Sequence, residues 1–175
     1  CTGEIISDHG LILTNHHCGY GAIQENSTEE KNYLDDGFWA KKKSDELKAG
    51  FSVSFLIRME DVSDKINAVL KEDMTLEERS EAIKTMSDSL KKEARGDSDY
   101  EVNVKSFYEG NEFYLFVYET FPDVRLVGAP PSSIGKYGGD TDNWMWPRHT
   151  GDFSLFRVYA DKDNKPAEYS EENVP

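Results

Sequence analysis

Apolar positions change their spacing several times along the chain, and each change marks an element. Two short apolar runs, residues 4–7 and 11–14, flank Asp8-His9-Gly10, the pattern of a β-hairpin whose second strand leads into Asn15-His16-His17-Cys18. Gly19-Tyr20-Gly21-Ala22-Ile23 then reads as a flexible exit, and Ser27-Thr28-Glu29-Glu30 as a capping box for a short helix ending near Gly37. Phe38-Trp39 is an apolar anchor ahead of Lys41-Lys42-Lys43, a solvated loop. Phe51, Val53, Phe55 and Ile57 alternate with Ser52, Ser54, Leu56 and Arg58, which predicts a strand with one buried face.

Over residues 63–95 the period lengthens to that of a helix. Ile66, Val69 and Leu70 share one face; after a second capping box, Thr75-Leu76-Glu77-Glu78, the residues Leu76, Ile83, Met86 and Leu90 form a stripe that stops at Gly96. The expectation is a helical hairpin insertion packed outside a sheet. Period two returns in residues 100–108 and 112–120, on either side of Glu109-Gly110-Asn111, and again in 124–127. Residues 129–151 are a long irregular stretch, and loops of that length in a compact domain tend to be functional. The fold class expected is mainly β with a helical insertion.

Composition supports a folded domain: hydrophobic residues are 37% of the chain, with 9 Phe, 9 Tyr and 3 Trp. A net charge of -14 repels a nucleic-acid backbone, so no nucleic-acid partner is expected. No stretch approaches the roughly 20 apolar residues of a membrane span. The first residue, Cys1, and the polar last stretch point to a piece of a longer protein. Cys1 and Cys18 bracket the hairpin, and without a Cys-x-x-Cys spacing they favour a disulfide over zinc, with two free buried thiols as the other possibility. A disulfide implies an oxidising compartment.

The candidate chemistry lies at the two ends of the chain. An imidazole titrating near neutral pH can take a hydroxyl proton and return it to a leaving amine, and the hairpin gives His17 a stiff support for that work. Toward the other end, Ile134 to Gly151 is dense in glycine, aromatic rings and polar tips, a composition that suits a ligand pocket and equally a packed loop over the mouth of a barrel, and it runs into Asp152-Phe153-Ser154-Leu155. Gly96-Asp97-Ser98-Asp99 looks like a serine nucleophile motif but lacks the glycines that follow one, and reads as a helix-ending turn. A metal site from His16, His17, His149 and a cysteine is another reading; no metal or cofactor is expected.

Cys1, Gly3, Ile5, Ile6, Leu11 to Thr14, His17 and Cys18 resemble the run around the catalytic histidine of chymotrypsin-like proteases, and Asp152 opens a run similar to that of their triad aspartate. Two longer pieces, Thr14 to Gln24 and Gly138 to Asp152, closely resemble bacterial dipeptidyl peptidases of peptidase family S46, the dipeptidyl-peptidase 7 and 11 group. That resemblance implies a chymotrypsin-like β-barrel, the N-terminal barrel of a two-barrel catalytic domain spanning residues 1–175. It implies a serine-type exopeptidase that releases dipeptides from oligopeptides with a free N-terminus, in the periplasm or at the cell surface, as a homodimer. His17 and Asp152 would be the triad histidine and aspartate, and Asn143 and Trp144, on the binding loop 129–151, would hold the substrate's amino group. An amide carbonyl accepts from an ammonium and an indole face attracts it. The nucleophilic serine would lie in the remainder of the polypeptide, so this stretch alone is expected to be inactive. The alternative is a protease-like barrel that binds peptide N-termini without cleaving them. The residue preferred before the scissile bond, acidic or hydrophobic, is not legible.

Overall fold

The computed structural model describes residues 1–139, 141 and 145–159, and it is mainly β with several helices, arranged as two compact units. The first combines residues 1–53 with those from 121 onward; the second is Ser54–Thr120.

In the first unit β1 (Gly3–Ile5) and β2 (Leu11–Thr14) form the expected hairpin. There follow α1 (His16–Glu25), α2 (Tyr33–Asp36), β3 (Phe38–Trp39) and β4 (Leu47–Lys48). The second unit supplies β5 (Val53–Asp61), α3 (Ser63–Asn67), α4 (Leu76–Arg95), β6 (Glu101–Phe107) and β7 (Glu112–Phe121). The chain returns to the first unit with β8 (Asp123–Ala129), α5 (Ser132–Gly135) and β9 (Ser154–Tyr159). An open sheet in the order β1-β2-β9-β8-β3, with β4 also on β8, carries the first unit. Ile12, Leu126, Phe156 and Val158 are buried on it, together with Ala22 and Ile23 of α1.

The second unit has its own sheet, β5-β7-β6, so the helical insertion expected at residues 63–95 is the helical half of a larger α/β piece. Phe113, Leu115 and Val117 alternate inward from β7 and close a core with Val62, Ile66 and Leu90. At the start of α4 the Thr75 Oγ1 accepts from the Glu78 amide at 3.2 Å, and a Glu78 carboxylate oxygen accepts from the Thr75 amide at 2.9 Å, the expected capping box. Gly96 ends the helix with φ 54°, and Ser98 turns back onto the Arg95 carbonyl, so residues 96–99 are a cap turn.

Four local expectations fail. Residues 19–23 are not a flexible exit but the middle of α1. Packing explains this: Gly19 is so close to β9 that a Cβ there would lie 2.8 Å from Ser154 Oγ and 2.9 Å from Phe156 Cζ, so glycine is what lets the helix seat. Ser27 caps nothing ahead of it; its hydroxyl donates back to the Ile23 carbonyl at 2.8 Å, and the helix before Gly37 is only Tyr33–Asp36. Alternation on β5 buries Val53 and Phe55 only in part, while Leu56, Ile57 and Met59 are all exposed. Leu76 is 87% exposed, because as the first residue of α4 it precedes the turn at which the helix meets its core.

A buried ionic cluster was not foreseen. Glu46 accepts from Arg157 Nε at 2.9 Å and from the Tyr159 hydroxyl at 2.6 Å, while Arg157 Nη1 donates to the His9 carbonyl at 2.7 Å. Three separate stretches are thereby tied together: the β1–β2 turn, the segment before β4, and β9.

Candidate active site

The site begins with strand register. β2 and β9 pair antiparallel with Thr14 opposite Ser154, so the residues that follow Thr14 and those that precede Ser154 leave the sheet side by side. His17 and Asp152, 135 positions apart, meet there: His17 Nδ1 lies 2.7 Å from Asp152 Oδ2. Asp152 Oδ1 also accepts the His17 backbone N–H at 3.1 Å. This carboxylate sits at the N-terminus of α1, where exposed amides and the helix dipole favour a negative charge.

Burial raises the pKa of Asp152, whose side chain is 19% exposed, but the hydrogen bonds from the His17 amide and ring, the attraction to that ring and the His16 amide outweigh it and hold the group below its ordinary value. An ionised carboxylate only accepts, so the proton between the two groups belongs on His17 Nδ1, and in the neutral ring Nε2 is the basic nitrogen. The His17 side chain is 68% exposed, open to whatever approaches it.

His16, its neighbour, has a different environment. It is buried, its Nε2 donates to the Pro130 carbonyl at 3.2 Å, and its ring lies so near Gly135 that a Cβ there would be 2.3 Å from Cδ2. Burial lowers its pKa, with the nearby His17 also lowering it, against the raising effects of the Pro130 carbonyl and Asp152. The neutral ring therefore pins α1 to the start of the 129–151 loop.

That loop is tied at its base. Gly151 N–H donates to the Ile134 carbonyl at 3.0 Å, and Thr150 Oγ1 donates to the carbonyls of Ile134 and Gly135 at 3.1 and 3.0 Å. A cavity of about 1180 Å³ lies between it and α1, lined among others by His17, Asp152, Tyr20, Tyr137, Trp146 and His149. Asn143 and Trp144 lie outside the described residues, as do Asp140 and Asp142.

Cys1 and Cys18 are joined in a disulfide with their Cα atoms 5.9 Å apart, which anchors the chain start to the first turn of α1. Among the described residues Cys1, His17 and Cys18 are the one grouping of three metal-type donors, but both sulfurs are bonded to each other and His17 Nδ1 faces Asp152. His16, also in the metal reading, turns its Nε2 to the Pro130 carbonyl, and His149 lines the cavity.

Two residues received no role in the sequence. Asn15 Nδ2 donates to both Asp152 Oδ2 and the Asp152 carbonyl at 3.2 Å, and the buried Ser154 hydroxyl donates to the Asn15 carbonyl at 2.8 Å. The signal that could have found them is the β2–β9 register, which pattern reading along one strand does not supply.

An imidazole oriented by a carboxylate at the edge of a cavity is the equipment of a general-base hydrolase. The Peptidase S46 family pattern matches residues 1–175, and the chain belongs to that family. It is 53% identical to a dipeptidyl-peptidase 7 of Capnocytophaga gingivalis and 55% identical to an Asp/Glu-specific dipeptidyl-peptidase of the same organism, over 100% of this chain and 25% of each relative. The crystal structure of Porphyromonas endodontalis DPP11 superposes with a TM-score of 0.82 at 46% identity, covering 100% of this chain and 26% of that one. The chain thus spans about a quarter of the length of the relatives it matches.

Proposed function

We propose that this chain supplies the general base of a serine-type dipeptidyl peptidase that releases dipeptides from oligopeptides with a free N-terminus. The observation that carries the reading is the 2.7 Å contact between His17 Nδ1 and Asp152 Oδ2 at the rim of the cavity, in a member of family S46. His17 Nε2 takes the proton of a serine hydroxyl as that oxygen attacks the peptide carbonyl. Nε2 then returns the proton to the leaving amine, while Asp152 holds the Nδ1 tautomer and stabilises the imidazolium.

The serine belongs to the remainder of the polypeptide, so residues 1–175 alone are inactive in this reading. The open β1–β9 sheet is then part of the N-terminal barrel of a chymotrypsin-like pair, and loop 129–151 the segment that receives the substrate's amino group through Asn143 and Trp144. The disulfide Cys1–Cys18 supports an exported enzyme, in the periplasm or at the cell surface. Family resemblance supports a homodimer. Relatives with and without an Asp/Glu-specific name match this stretch at similar identity, which supports a preference before the scissile bond that is set in the remainder of the polypeptide.

The test is to express the complete gene product and assay peptides with acidic or aliphatic second residues, each with a free or an acetylated N-terminus. Dipeptides released only from free N-termini, and abolished by His17→Ala, are expected. Equal rates in wild type and His17→Ala overturn the role given to His17; peptide binding with no cleavage favours a non-catalytic binding module.

A further inference from the structure

We propose that Asn15 is a positioning residue for the His17–Asp152 pair, its carboxamide holding the carboxylate in the orientation the imidazole uses. The proposal rests on the reading above and extends it to a residue with no assigned part.

Asn15 occupies the N-cap position of α1, where an asparagine ordinarily accepts a hydrogen bond from an amide in the first turn. Its side chain makes no such bond. The His17 amide, the second of the helix, is taken instead by Asp152 Oδ1 at 3.1 Å. Asp152 therefore caps the helix, and the Asn15 carboxamide is turned outward onto Asp152, donating from Nδ2 to Oδ2 and to the main-chain oxygen, both at 3.2 Å.

The exchange of roles has two consequences. A donor that spans the side-chain and main-chain oxygens of one residue opposes rotation of the carboxylate away from His17. It also shares Oδ2 with His17 Nδ1, so charge on that oxygen is stabilised and transfer of the imidazolium proton to it is disfavoured. Asn15 itself is held from behind by the buried Ser154 hydroxyl, which donates to its carbonyl at 2.8 Å.

The test uses the complete gene product with Asn15→Ala, Asn15→Ser and Asn15→Asp. Serine and aspartate are N-caps as good as asparagine, so a residue needed only for the helix end would be rescued by either. As a positioning residue, Asn15→Ser and Asn15→Ala instead lower kcat by about 10-fold with KM unchanged, and Asn15→Ser keeps the wild-type Tm. Asn15→Asp sets a second carboxylate beside the first and moves the acid limb of the kcat/KM profile up by about one pH unit. Wild-type kcat and pH profile in the serine and aspartate variants overturn the proposal while leaving the peptidase reading intact.

If the wild-type protein shows no His17-dependent cleavage, the peptidase reading fails first, and the geometry is read by NMR. The low-field Nδ1 proton of protonated His17 then broadens or disappears in Asn15→Ala and Asn15→Ser, and a signal unchanged from wild type overturns the proposal.

Discussion

Asp152 does two jobs with one carboxylate: it takes the amide of the first turn of α1 and it orients the His17 ring. Those two demands are separable by substitution. Asp152→Asn keeps the shape and loses the charge, and in the triad mechanism it is expected to lower kcat of the complete enzyme by about four orders of magnitude, because the wrong tautomer of His17 is then favoured. Stability follows a different rule. The pKa of Asp152 is depressed in the folded state, so its contribution is fully present above the unfolded value of roughly 3.9 and is lost as pH falls below that value through the folded one. Urea midpoints measured from neutral to acid pH should therefore show wild type above Asp152→Asn near neutrality and the two curves converging at low pH. A constant gap over the whole range would mean that the charge plays no part in holding the helix end.

At the scale of elements, α1 shows how two glycines in one helix can have opposite meanings. A Cβ on Gly19 would meet Ser154 Oγ and Phe156, whereas nothing lies within 4 Å of one on Gly21. Gly19→Ala is expected to destabilise the chain by about 1–3 kcal/mol through overpacking, and Gly21→Ala to stabilise it by roughly 0.5–1 kcal/mol through helix propensity. Equilibrium denaturation of the two variants reads both signs in one experiment. The same helix marks the limit of what was legible in the sequence. Local signals were readable: the β1–β2 and β6–β7 hairpins, the Thr75 cap, the Gly96 stop and the pairing of Cys1 with Cys18 all depend on residues close in the chain or on simple chemistry. The meeting of His17 with Asp152 was expected from family resemblance, and the β2–β9 register is the physical cause that the resemblance did not contain. Helix α1 was missed because Gly19 and Gly21 lower local propensity and packing on β9 overrides it. Ser27 was misread because its hydroxyl is used by the preceding turn, and the exposed side of β5 because alternation reports a face without saying what covers it.

At the scale of the molecule, a chain of net charge -14 keeps one of its ion pairs almost wholly out of water. Glu46, with its side chain 2% exposed, receives both Arg157 and the Tyr159 hydroxyl, and Arg157 reaches on to the His9 carbonyl. Burial and the Glu46 carboxylate raise the Tyr159 pKa well above its ordinary value, so the phenol remains a donor throughout the working range. Beside it, Arg125 forms a two-bond pair with Asp123 and lies over the Tyr159 ring at 4.0 Å, so the cluster continues across β8. A buried pair of this kind need not be more stable than an apolar replacement, since both charges lost their hydration on folding, but removal of one partner leaves the other charged and dry. Glu46→Ala is accordingly expected to cost about 3–5 kcal/mol, read as a drop in the urea midpoint. Glu46→Leu combined with Arg157→Met should recover most of that loss. If the double variant is as unstable as the single one, the cluster contributes through the hydrogen bonds that fasten the β1–β2 turn to β9, and charge balance is the lesser part.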